Sequence, residues 1–184
     1  SIANHCDGRR LELHIRHGDD NSAAQDIMAH LTSASTVSAT LPAGMRFIDS
    51  APEQPVWFIC GSTGFAPVKA MVERLIALDF DHPVRLFWGA RTPEDLYLPT
   101  LPSQWKMALK DFDFTTALSD IRHPDHAEGL VHEAALAALN EPELPLFYLG
   151  GSPPMAWAVF DALVEEGVPA GNIHCDVFDY APRE

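Results

Sequence analysis

Two glycine turns hold the residues best suited to chemistry: Gly61-Ser62-Thr63-Gly64 and Gly150-Gly151-Ser152-Pro153-Pro154-Met155. Each follows a continuous apolar run, PVWFIC at 55–60 and LPLFYL at 144–149, and each precedes a stretch of helical periodicity. Glycine lets a backbone approach an anion, and a helix start offers free N–H groups and the positive end of its dipole. The first turn alone is either a phosphate-cradling loop or an ordinary tight strand-to-helix turn, because its two glycines do not make a GxGxxG fingerprint. Two such turns at strand C-termini mark the place where open α/β sheets bind ligands. A side chain at Gly64 is then expected to obstruct phosphates with little cost to folding.

The elements that must position these turns are legible from periodicity. PVWFIC, VRLFW at 84–88, FDFTTAL at 112–118 and LPLFYL read as strands, with a last strand predicted over Ile173–Phe178. Unbroken apolar runs of this kind suit strands buried on both faces. Helices are predicted over Pro67–Leu78, Gly129–Leu139 and Ser152–Glu166, the last with Pro153 in the first turn, where a missing N–H costs nothing. Alternating strands and helices imply a doubly wound parallel sheet. Residues 1–48 differ. RLELHIR at 10–16 alternates apolar and polar positions and reads as a half-buried strand, STVSATL at 35–41 is β-branched and reads as a second strand, and Asn21–Leu31 carries a helical stripe of Ile27, Met28 and Leu31. The segment with Pro52 and Pro55 separates the two parts, giving expected domains of 1–50 and 51–184. Ser1-Ile2-Ala3-Asn4 reads as a strand end and a turn, which predicts residues upstream of Ser1.

Composition excludes several classes. The chain has 184 residues, 47% of them apolar, enough for a packed core. Its net charge of −14, from 12 basic and 26 acidic side chains, disfavours nucleic acid, which requires dense Lys and Arg. No apolar run approaches the ~20 residues needed to span a bilayer. Three cysteines (Cys6, Cys60, Cys175) without CxxC spacing suit a reducing cytoplasmic setting. His123, His126 and His132 with Asp125 match no metal-ligand spacing and read as solvated loop histidines, so no metal is expected. Cys60 reads as a small buried hydrophobe.

CGSTGFAPVKAMVERL (60–75), LFWGARTPEDLYL (86–98) and YLGGSPPM (148–155), in that order, resemble the pyridine-nucleotide domain of the ferredoxin–NADP⁺ reductase superfamily. SIAN at 1–4 followed by LELHIR resembles the end of its Arg-x-Tyr/Phe-Ser flavin motif and the next barrel strand. The resemblance implies an α/β nucleotide domain preceded by part of an antiparallel flavin-binding β-barrel. It implies NADH or NADPH, and FAD or FMN, as cofactors. By the resemblance, Ser1 lies near flavin N5 and Ile2 and Ala3 along the flavin. Gly61, Ser62, Thr63 and Gly64 face the nucleotide's phosphates and ribose, and Ser119 the adenosine end. Gly150, Gly151 and Met155 lie under the nicotinamide, while Asp176 and Phe178 stand on a C-terminal strand beside the flavin. Phe178 reads equally as core packing. Arg91 and Arg122 are each candidates for a nucleotide 2′-phosphate, with neither fixed by spacing.

Departures from the family pattern separate its branches. Gly18-Asp19-Asp20-Asn21-Ser22 stands where tight FAD binders carry a Gly-rich, Ser/Thr-ended loop, and two carboxylates there would repel a diphosphate. Gly150 occupies a position where many members have Cys. The ending Cys175 to Tyr180 resembles that of NAD(P)H–flavin reductases. The leading expectation is therefore hydride transfer from NAD(P)H to a loosely held flavin. The alternative is an FAD-containing reductase that passes electrons to an iron–sulfur domain or partner of an oxygenase or deoxysugar pathway. A third reading is a non-catalytic chain that binds a nucleotide or a protein. In the enzymatic readings the cofactors carry the chemistry, and the protein aligns them and excludes water.

Overall fold

The computed structural model describes residues 1–5, 8–16, 21–39, 46–139 and 142–183. The strands are β1 (Val56–Gly61), β2 (Val84–Ala90), β3 (Phe112–Leu118), β4 (Ala127–Glu128), β5 (Leu146–Gly150) and β6 (Ile173–His174). The helices are α1 (Ser22–Ser33), α2 (Phe65–Ala77), α3 (Leu101–Ala108), α4 (Val131–Ala137), α5 (Pro153–Glu165) and α6 (Val177–Tyr180). The six strands form one parallel sheet in the order β4-β3-β2-β1-β5-β6. The chain runs outward from β1 to β4, then returns to place β5 on the other side of β1. The sheet therefore reverses direction between β1 and β5, and a crevice opens beyond their C-terminal ends.

Alternation along β1 shows why the sheet needs a layer on each side. Val56, Phe58 and Cys60 pack with α2 and α3, through Phe65, Val68, Val72, Leu75 and Trp105. Trp57 and Ile59 point the other way, against Val131 and Ala135 of α4 and Ala156, Val159 and Leu163 of α5. Full burial of each large apolar side chain contributes about 1.5–3 kcal/mol, which explains the near-absence of polar residues in PVWFIC. Helix α5 starts on Pro153 and Pro154 and presents Ala156, Val159 and Leu163 at helical spacing.

Three expected strands take other forms in whole or in part. Beyond His174 the chain leaves the sheet, and Val177–Tyr180 is a short helix, α6, started at Asp176. Its ring Phe178 turns inward onto Trp157 and Phe160, and that packing outweighs the extended propensity of the segment. The N-terminal part forms no barrel sheet among its described residues. RLELHIR contributes one antiparallel bridge, Leu13 with Ile2, and residues 35–39 are in no strand, while 40 and 41 lie outside the described residues. A two-segment ladder without further partners gains too little to extend. Helix α1 is present, capped by the Asn21 side chain, which accepts from Ala24 N (3.0 Å). Of its residues Ala24 alone is buried, and Ile27 of the expected inward stripe is 51% exposed. The periodic signals missed α3 and the short β4. No helix among the described residues is long and apolar enough to cross a membrane.

Candidate functional site

The register pairs Cys60 of β1 with Gly150 of β5, so the turns that follow these strands emerge side by side. Gly61 leads into a single 3₁₀ turn, Ser62–Gly64, and then α2. Gly64 has an ordinary helical φ of −60°. It must be glycine because a Cβ there would run into the backbone of Gly150 and lie 2.5 Å from Gly151 N. Gly150 is bound in the same way by the Gly64 carbonyl. The two turns thus touch backbone to backbone. This corrects the expectation for Gly64: a side chain there meets the neighbouring turn before it meets a ligand. Met155 floors both turns, its Sδ lying 2.5 Å from a Cβ built on Gly61 and 2.6 Å from one on Gly151.

Ser62 holds a left-handed φ of +50°, a conformation that costs a non-glycine residue roughly 1–2 kcal/mol. Two contacts hold it there. The Trp88 indole donates to the Ser62 carbonyl (3.1 Å), and Arg16 donates to Ser62 Oγ (3.0 Å). Trp88 itself stacks on Phe65, the first residue of α2, with ring centroids 3.9 Å apart. The loop is therefore anchored to the core on one side and to the N-terminal segment on the other.

A cleft of about 820 Å³ opens over these turns. Gly61, Ser62, Thr63, Gly64, Gly150 and Gly151 line it together with Ser1, Ile2 and Leu13 of the N-terminal segment, the last two joined by an antiparallel bridge. Arg16, Arg46, His174 and Asp176 also line it. Pro153 and Pro154 remove the first two N–H donors of α5, and Pro67 removes one from the first turn of α2. Arg16 and Arg46 bring positive charge to the cleft, and each also meets a carboxylate, Asp95 at 3.9 Å and Asp179 at 3.4 Å. Sequence reasoning missed both. Arg16 lies on the polar side of RLELHIR, which by itself reads as solvated, and Arg46 is part of no motif. His174 was missed as well, inside what read as a strand.

Electrostatics leave the Cys175 thiol at the cleft unactivated. Burial, then the charge of Arg46, hold His174 below its ordinary value. Burial pushes the Cys175 thiol up to about 11, and Cys60 well above its usual range. Both thiols therefore stay protonated at neutral pH.

The remaining candidates lie elsewhere. Ala3 is fully buried behind the cleft wall, its carbonyl accepting from Lys69 Nζ (2.8 Å). Arg91 and Ser119 follow β2 and β3 and do not line the cleft. Arg91 Nε pairs with Asp95 (3.3 Å), and Ser119 Oγ donates to Asp120 (2.6 Å). Arg122 pairs with Glu128 (2.8 Å), beside a smaller concavity of about 290 Å³ that includes His123 and His126. Phe178 packs on Trp157 at 4.5 Å between centroids, the core arrangement that the sequence left open beside stacking on a ligand. Asp19 and Asp20 lie outside the described residues.

Residues 58–161 match the family described as Oxidoreductase NAD-binding domain, more than half of the chain. The chain belongs to this family. It is 29% identical over 94% of its length to the terephthalate 1,2-dioxygenase reductase component 1 of Comamonas sp, covering 52% of that protein. It is 30% identical over 97% of its length to the CDP-6-deoxy-L-threo-D-glycero-4-hexulose-3-dehydrase reductase of Yersinia pestis, covering 54% of it. The crystal structure of an Amycolatopsis cytochrome P450 reductase superposes with a TM-score of 0.81 at 24% identity, over 96% of this chain and 54% of that one. Other solved proteins of the same fold hold FAD. The chain spans about half the length of the curated relatives it matches.

Proposed function

We propose that the chain is the nucleotide-binding part, with an adjoining piece of the flavin-binding part, of an NAD(P)H-dependent reductase. In this reading the protein holds FAD and passes electrons onward to an iron–sulfur domain or partner of an oxygenase system. The reductase components among its relatives support this more strongly than they support a reductase of free flavin. The expected division at about residue 50 belongs to the same proposal.

The observation that carries it is the cleft. The glycine turns and the Ser1–Ile2 segment line the same cleft, and in this reading they form its two facing walls. The residues fit the groups they would hold. Bare glycine backbone admits a flat ring or a diphosphate, and Arg16 and Arg46 supply positive charge. Gly61, Ser62, Thr63 and Gly64 would take the nicotinamide nucleotide, with Arg16 at its phosphates. Gly150 and Gly151 would underlie the nicotinamide, supported by Met155. Ser1 and Ile2 would face the flavin ring, with Asp176 at the rim. Bound flavin would supply an acceptor for a hydride that can release its electrons one at a time. The chain's own residues bind and orient. Ile2 and Met155 exclude water, and the touching glycine turns hold the two halves of the nucleotide's bed against each other.

The protein carrying these residues at its natural length is the material for the test. After purification it should be yellow, contain FAD, and oxidise NADH or NADPH with ferricyanide or cytochrome c without added flavin. A colourless protein that oxidises the nucleotide only when free flavin is supplied would replace this reading with that of a flavin reductase. A colourless and inert protein would end both.

A further inference from the structure

Lys69 extends from α2, five residues beyond Gly64, and is only 8% exposed. Its ammonium meets three acceptors. Nζ lies 2.8 Å from the Ala3 carbonyl, 3.1 Å from Glu12 Oε2 and 2.7 Å from Glu73 Oε1. Burial lowers its pKa, but the two carboxylates more than offset that and hold it above its ordinary value. Glu73 belongs to the same helix and reaches further, accepting from His5 N (3.3 Å). Glu12 also meets His14 Nε2 (2.7 Å), whose Nδ1 shares a hydrogen bond with the Tyr97 hydroxyl (2.7 Å).

Two of the three acceptors therefore belong to the N-terminal segment. That segment is tied to itself by Ala3 N to Glu12 O (2.8 Å) and His14 N to Ser1 O (3.2 Å), too short a ladder to hold its own place. A buried ion pair is weak evidence for stability, because an apolar pair of the same volume often does as well; fixing one arrangement is its better-attested use. The arrangement fixed here is specific. Helix α2 begins at the nucleotide loop, and its first turns carry Lys69, so a single rigid element connects the loop to the opposite cleft wall.

We propose that Lys69 is a positioning residue for hydride transfer. It clamps the Ser1–Ala3 segment to α2 and so sets the separation between the flavin-facing wall and the glycine loop. The inference rests on the functional reading above for its rate consequence, and on the hydrogen bonds alone for the clamp.

Lys69→Met keeps the side-chain volume and removes the charge, leaving Glu12 and Glu73 partly exposed and able to hydrate. In the protein of natural length, stopped-flow reduction of the flavin by NADH or NADPH should slow by roughly 10–100-fold, the scale of a misplacement near 1 Å. Nucleotide affinity should change far less. Lys69→Arg should recover part of the rate. Hydrogen exchange should show lost protection at the amides of Ala3 and His14, with β1 and β2 unchanged. A folded Lys69→Met protein with wild-type rate or wild-type protection at those amides would overturn the proposal. If Lys69→Met does not fold, Glu12→Gln leaves two of the three contacts and should still loosen the same amides and slow reduction by about 3–10-fold. Wild-type behaviour in that variant would overturn the proposal equally. If the wild-type protein reduces no flavin, the functional reading fails, and the exchange pattern alone decides the clamp.

Discussion

Gly64→Ala separates a loop that merely admits phosphates from two turns that support each other. A Cβ at this position lies 2.5 Å from Gly151 N and closer to the Gly150 carbonyl, whereas ordinary contact begins at 3.4 Å, so the turns must part by about 1 Å. The obstructing atoms are backbone and cannot change rotamer. Overpacking of this kind costs about 1–3 kcal/mol. For a domain of this size that is a fall in melting temperature of roughly 3–10 °C. The same displacement parts the two halves of the proposed nucleotide site and should weaken NAD⁺ or NADP⁺ binding by about 10-fold, within the range expected for a misplacement near 1 Å. Differential scanning calorimetry and isothermal titration with the oxidised nucleotide measure the two effects on one sample. Gly171→Ala is the control, because nothing lies within 4 Å of a Cβ there. If Gly64→Ala loses affinity while melting with the wild type, the side chain obstructs ligand alone and the contact between turns is unimportant. If it matches wild type in both measurements, the site is misplaced.

Three further outcomes follow from named contacts. Arg16→Ala should weaken nucleotide binding by about 3–10-fold at low salt, with the difference shrinking as salt rises, since its side chain is 51% exposed; a salt-independent difference would exclude a charge role. The hydrogen bond from His14, and then Lys69, hold Glu12 below its ordinary value of 4.5. Glu12 therefore stabilises the N-terminal segment above that value, and the contribution is lost as pH falls through the lower folded value. Hydrogen exchange at Ala3 should rise in that acid window, and Glu12→Gln should abolish the pH step; a step that survives in Glu12→Gln belongs to another group. Phe178→Ala should cost about 1–3 kcal/mol of stability, less than a fully buried aromatic, and shift Trp157 fluorescence without altering nucleotide affinity; unchanged stability with lost flavin would return Phe178 to the cofactor.

The sheet was legible because its strands are buried on both faces. PVWFIC has no polar position to confuse the reading, and the turns after it and after LPLFYL announce themselves with glycine. The failures have a common cause. Residues 173–178 and 10–16 have extended propensity, but propensity does not say whether a neighbouring strand is available. Phe178 finds a better place against Trp157 than in the sheet, and among the described residues RLELHIR is met by the short segment Ser1–Asn4. Helix α3 escaped because Pro102 and a short run of apolar residues disguise it, with Trp105 supplying most of the burial that holds it.

The candidate cleft was legible at its glycine turns and opaque at its N-terminal residues, and the reason is sequence distance. Gly61–Gly64 and Gly150–Gly151 each form a local motif, so spacing alone reveals them. Arg16 and Arg46 become site residues only because a segment 46 residues before Ser62 folds back to place a guanidinium on its hydroxyl. Lys69 shows the same limit more sharply. In the sequence it is one cation on an amphipathic helix, and by periodicity it belongs among solvated positions. Its meaning comes from Ala3 and Glu12, 66 and 57 residues away. An excess of acid makes such cations informative after the fact. In a chain with 12 basic side chains against 26 acidic ones, one lysine is buried among carboxylates and two arginines line one cleft. Lys69 ties the wall bearing Ser1 and Ile2 to the helix that begins at the nucleotide loop, while Arg16 ties that same wall to the loop itself. The two contacts close a circuit around the cleft, so a change at either one should be felt at the other.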